Sequence, residues 1–167
     1  MTIDITLRVN GVSHTLEVEP TETLVDVLRK RLGLTGTNRD CGMGICGVCT
    51  VMLDGSPVSS CILLAGQADG AAVTTIEAIE RDGRLSPVQE AFLRFGASQC
   101  GFCTPGFVIT ASALLAENPH PSRDEIVEAL KGNLCRCTGY KRIVEAVEWA
   151  ARQEIRDDSR SSANQDA

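Results

Sequence analysis

A chain of 167 residues, 43% hydrophobic and 23% charged, has room for one ordinary domain or two small ones and the composition of a soluble globular protein. A net charge of -6 and only 4% aromatic residues exclude a surface built to neutralise phosphates or stack bases. Residues 1–9 alternate polar and apolar with an acid at position 4, unlike a secretory signal, and no run approaches the roughly 18 apolar residues of a membrane span. A cytoplasmic protein is therefore expected, and its eight cysteines point to metal rather than disulfides, because that compartment keeps thiols reduced.

Thr6–Val9 and Thr15–Val18 read as strands about Asn10-Gly11, a dipeptide suited to a tight hairpin turn. After Pro20, Thr21 or Thr23 is placed to cap a helix reaching about Leu32, with Leu24, Val27, Leu28 and Leu32 on one face. Gly33 and Gly36 end it. Asp40–Thr50 is too rich in Gly and Cys for regular structure. Thr50–Leu53 and Val58–Leu63 form a second hairpin about Asp54-Gly55, with Val73–Ile76 as a further strand. These elements predict a small mixed sheet packed on a helix.

The pattern then turns helical. Ser86-Pro87-Val88-Gln89 is a capping box ahead of a helix stopped by Gly96. Thr104-Pro105 opens a second helix through about Asn118, Ser122 to Glu125 cap a third, and a fourth runs from about Tyr140 to Arg152. Residues after Gln153 read as a mobile polar tail.

The first cysteine group, Cys41, Cys46 and Cys49, has the spacing C-x4-C-x2-C, with Cys61 following in the next strand. This is the plant-type 2Fe–2S pattern. Gly42, Gly44 and Gly47 allow the loop to curl around a cluster and let backbone N–H groups approach the sulfurs. Zinc is disfavoured, since it prefers two C-x2-C knuckles. The run from Gly42 to Gly47 also matches the dinucleotide fingerprint, but a strand rather than a helix follows, so that match is false.

The second group is Cys100-Gly-Phe-Cys103 and Cys135-Arg-Cys137, each pair lying before a helix start, where the dipole favours thiolate. Taken alone it leaves a redox dithiol or a zinc site open. His14 and His120, the only histidines, read as surface residues, which removes the two ligands a Rieske cluster needs. Arg136 either raises a cluster's potential or pairs with an acid. Arg29-Lys30-Arg31 reads as a solvated helix face, with a docking patch as the alternative, and Trp149 as packing.

Together, Asp40 to Thr50, Ser60-Cys61, Gln99 to Gly106 and Gly132 to Tyr140 resemble the small iron–sulfur subunit of the molybdenum hydroxylases, the xanthine oxidase and carbon monoxide dehydrogenase family, over roughly residues 3–152. The resemblance implies an α+β fold class: an N-terminal β-grasp, plant-type ferredoxin-like domain over 1–77, a linker at 78–85, an all-α four-helix-bundle domain over 86–153, and the tail at 154–167. It implies two 2Fe–2S clusters, held by Cys41, Cys46, Cys49 and Cys61 and by Cys100, Cys103, Cys135 and Cys137. Gln99 would hydrogen-bond a pterin, and Cys137 would contact it while ligating iron.

The implied partners are a large subunit carrying molybdopterin, in a dinucleotide form, and a medium subunit carrying FAD, assembled as a dimer of heterotrimers. Electrons would pass from molybdenum through both clusters to flavin or another acceptor. No substrate-binding or acid–base constellation is legible in the chain itself. The alternatives are a free-standing two-cluster ferredoxin and a zinc-stabilised interaction module.

Overall fold

The computed structural model describes residues 1–80 and 83–163, the side chains of 154–163 excepted. Two layers follow one another along the chain, a sheet with its helix and then a set of helices.

The strands are β1 (Ile3–Val9), β2 (Val12–Val18), β3 (Thr50–Leu53), β4 (Ser56–Ser59) and β5 (Ala72–Thr74). They lie in the order β2-β1-β5-β3-β4. β1 and β5 run parallel, and the other neighbours are antiparallel. In the register Ile5 faces Leu16 and Val51 faces Val58. Alternation in β1 turns Ile5, Leu7 and Val9 inward and leaves Asp4, Thr6 and Arg8 exposed, as a strand with one buried face requires. Both predicted hairpins form. Asn10 and Gly11 (φ 51° and 83°) and Asp54 and Gly55 (φ 49° and 86°) take positive φ at both central positions, the primed geometry that matches strand twist.

Across one face lies α1 (Leu24–Asp26), which widens into a π-helical turn at Val27–Arg31. The predicted helix to Leu32 is thus present in a wider form. Leu32 N donates to Val27 O and Leu34 N to Leu28 O, wide closures made where the chain reverses at Gly33 (φ 69°). Leu24, Val27 and Leu28 fill the core against Leu7, Val51 and Val73. This is the β-grasp arrangement.

The helices are α2 (Pro87–Arg94), α3 (Thr104–Glu117), α4 (Arg123–Leu130) and α5 (Lys141–Ala163). Ser86 with Gln89 and Ser122 with Glu125 complete their capping boxes. Their core is separate from that of the sheet and includes Val88, Phe92, Phe107, Ile126, Ile143 and Val147. Ile76 and Ile79, on the segment leaving the sheet, pack against it.

Three expectations change. β4 ends at Ser59, so Cys61 lies in the turn beyond it rather than in a strand. At Ser60 the strand gives way to a turn, with Ser60 N and Ser60 Oγ both donating to Cys49 O, at 3.4 Å and 2.6 Å, and Val25 N donating to Ser60 O at 3.1 Å. β5 stops at Thr74, and Ile76 opens a short 3-10 turn. The last helix, expected to end at about Arg152, runs on to Ala163, and no Gly or Pro between Lys141 and Ala163 interrupts it; 164–167 lie outside the described residues.

Candidate metal centre

All eight cysteines are free thiols. In the first loop Gly42, Gly44 and Gly47 adopt φ of 66°, 72° and 69°, the curl expected of them. That curl turns amides inward: the N–H groups of Met43, Cys46 and Ile45 converge on the Cys41 sulfur and pull its thiol down to about 6. Met43 N sits 3.4 Å from that sulfur. Burial acts oppositely on Cys46, which is pushed up, and on Cys49, which is pushed up to about 11. Cys49 and Cys61 share one buried cluster with Val25. Cys41 and Cys46 form the other contacting pair.

The second group repeats this pairing. Cys100 and Cys137 sulfurs lie 3.6 Å apart. Cys103 contacts Cys135 and is pushed up to about 12, first by burial and then by that neighbour. Cys135 goes the other way: against burial, the Thr138 hydroxyl (3.1 Å) and Thr138 N–H (3.4 Å) both donate to its sulfur and lower it. Cys103 is the N-cap of α3. Cys135 and Cys137 precede α5 by a turn that ends at Tyr140, in the left-handed region at φ 65°. Its phenolic oxygen accepts from Cys135 N at 3.1 Å, and its ring meets Phe107 edge-on at 6.3 Å. A non-Gly residue there stores strain of about 1–3 kcal/mol, so the surrounding contacts must hold it.

Two contacting thiol pairs per group suit a binuclear cluster, which takes two thiolates on each iron, with peptide N–H groups supplied to the anionic sulfurs. Among the described residues no three His, Cys, Asp or Glu side chains are placed to hold a single metal ion. Cys46, Cys100, Cys103, Cys135 and Cys137 line one cavity of about 420 Å³, with Arg136 at its wall. Gln99 is exposed beside exposed Cys100.

The remaining candidates resolve locally. Arg29 donates to Thr35 O and Thr37 O, Lys30 pairs with Asp26, and Arg31 pairs with Glu22, so the basic run serves its own fold. Trp149 packs on the helical core with Phe95 at 6.3 Å and the Arg94 guanidinium 5.1 Å from its ring centre. His120 is exposed and His14 half-buried. Roles for Asn133, Thr138 and Tyr140 were not legible in the sequence. Their only signal is position, as polar side chains flanking a cysteine pair.

A family model for the 2Fe-2S iron-sulfur cluster binding domain matches residues 7–82, and one for a 2Fe-2S binding domain matches 75–148. The chain is 52% identical over 145 residues to the nicotine 6-hydroxylase small subunit of Paenarthrobacter nicotinovorans, covering 87% of each. It is 49% identical to the nicotinate dehydrogenase small FeS subunit of Eubacterium barkeri, over 89% of this chain and 94% of that one. Among solved structures, quinoline 2-oxidoreductase from Pseudomonas putida 86 superposes with a TM-score of 0.88 at 45% identity, covering 93% of this chain and 97% of that chain. The chain belongs to the small iron–sulfur subunits of the molybdenum hydroxylases.

Proposed function

We propose that this chain carries electrons one at a time from a molybdopterin centre in a large partner subunit, through two clusters of its own, to FAD in a medium subunit or to another acceptor. The observation that carries this reading is the gathering of eight free thiols into two groups of four, each made of two neighbouring pairs. Bound 2Fe–2S clusters supply one-electron redox chemistry. Cys41, Cys46, Cys49 and Cys61 would hold the one nearer the flavin, and Cys100, Cys103, Cys135 and Cys137 the one nearer molybdenum.

The chain's own groups then set the conditions. Amides at 43, 45 and 46 stabilise the Cys41 thiolate, and Thr138 does the same for Cys135. Gln99, exposed beside Cys100, would offer the donor and acceptor of its amide to a pterin, and exposed Cys137 would touch it. The boundary between ferredoxin-like and helical domains is placed between residues 77 and 86. Exposed Phe102, Leu134 and Tyr140 around the second group favour a subunit that docks over a free-standing carrier. A dimer of heterotrimers is the proposed assembly. Eight unpaired thiols suit a reducing, cytoplasmic setting, and among the described residues no helix is long and apolar enough to cross a membrane.

Metal analysis of the purified full chain tests this. About four irons and four acid-labile sulfides per chain are expected; zinc without sulfide would overturn it. Co-expression with candidate large and medium subunits, followed by size-exclusion chromatography, tests the assembly.

A further inference from the structure

Between the two thiol groups the backbones of the two loops are directly joined. The Leu134 amide donates to the Cys46 carbonyl at 2.8 Å. Cys46 carries a thiol of the first group, and Leu134 is covalently bonded to Cys135 of the second. One residue along on each side, the Asn133 side-chain amide donates to the Gly47 carbonyl at 2.9 Å, with Asn133 only 3% exposed. Consecutive carbonyls of the first loop are thus gripped by consecutive residues of the second.

Glycines let this seam close. A Cβ on Gly47 would lie 2.6 Å from Asn133 Nδ2 and collide with the Gly132 carbonyl, and a Cβ on Gly106 of α3 would collide with the Gly47 carbonyl. Cys46 alone of the first group lines the cavity shared by the four thiols of the second.

Electron tunnelling decays less steeply along covalent and hydrogen bonds than across a van der Waals gap. We propose that this seam is the conduit between the clusters: from Cys135 along the Leu134 backbone, across the Leu134 N–H to Cys46 O hydrogen bond, to the Cys46 sulfur. Asn133 is the positioning residue that holds the two loops in register. With a 2Fe–2S cluster held by each thiol set, one electron would leave the reduced cluster at Cys100, Cys103, Cys135 and Cys137 and reduce the oxidised one at Cys41, Cys46, Cys49 and Cys61. No bond is made or broken. The inference rests on the electron-carrier reading above.

The test uses the full chain carrying both clusters, photochemical injection of one electron, and rapid-freeze EPR to follow its redistribution between clusters. Replacing the Leu134 amide N–H by an ester oxygen, which alters no side chain, is expected to slow redistribution several-fold. Asn133→Ala slows it too, with the two reduction potentials unshifted. Leu134→Ala keeps the N–H and leaves the rate at the wild-type value. An ester variant with intact clusters and a wild-type rate would overturn the conduit, as would equal slowing in Leu134→Ala. Should Asn133→Ala fail to hold its clusters, the ester variant decides. A wild-type chain lacking iron and sulfide would sink the electron-carrier reading instead, so the two failures are distinguishable.

Discussion

Residues that share a chemical identity here differ through their hydrogen bonds. Cys41 meets three amides and is drawn down to about 6, whereas buried Cys49 and Cys103 are pushed up to about 11 and about 12. An unperturbed thiol ionises near 8.5. Since the folded value of Cys41 lies below this, its ionised form favours the folded loop, fully above the unfolded value and less as pH falls through about 6. In the cluster-free chain, iodoacetamide labelling of Cys41 followed by mass spectrometry should therefore rise with an inflection near pH 6. Cys49 and Cys103 should stay unlabelled at neutral pH. An inflection for Cys41 near 8.5 would remove the amides from the explanation.

Thr138 does comparable work at the second group, donating both its hydroxyl and its amide to Cys135. Hydrogen bonds to a ligand sulfur favour the reduced, more negative cluster. Thr138→Val deletes the hydroxyl bond, which is worth about 1 kcal/mol net, and should lower the second cluster's potential by about 40 mV for a one-electron couple. Potentiometric titration by EPR measures this, and Thr138→Ser should restore the potential. A shift equal in both variants would assign the effect to packing.

At the scale of elements, local chemistry was legible where one residue dictates one backbone feature. Asn10-Gly11 and Asp54-Gly55 announce positive φ, and Ser86 with Gln89 announces a helix start, because each acts within four residues. In that box Gln89 N donates to Ser86 Oγ and Ser86 N to Gln89 Oε1. Ser86→Ala should cost the helical half about 1 kcal/mol in denaturant unfolding, while Ser86→Asp retains the cap. An unchanged midpoint in the alanine variant would show α2 held by packing alone. Where partners are distant in sequence, the pattern fails. Asn133 and Gly47 meet across 86 positions, and neither is unusual for its own neighbourhood. The turn after β4 likewise has a partner distant in sequence, since Val25 N donates to Ser60 O. The eight thiols were legible as two groups by spacing, but their pairing within each group depends on loop closure in three dimensions.

For the whole molecule, the two halves meet at the glycine-rich seam of Gly47, Gly106 and Asn133 and again where Asn38 Nδ2 donates to Phe102 O at 2.8 Å. The sheet core and the helical core share no buried side chain, and only the helical core takes in thiols, Cys135 with Cys103 packed against it. Cys49 and Cys61 belong to neither; they pack with Val25 in a small cluster of their own. Metal binding contributes folding free energy to the cooperative unit that supplies the ligands, and with separate cores each half is expected to be its own unit. Cys61→Ser should therefore empty or weaken the first site while α2 to α5 keep their packing and the second thiol set. Iron should fall from about four to about two per chain, with the helical far-UV signal retained and one EPR signal of a reduced 2Fe–2S cluster surviving. Loss of all iron together would mean that the seam through Gly47 and Asn133 makes both halves one cooperative unit, so that neither loop closes without the other.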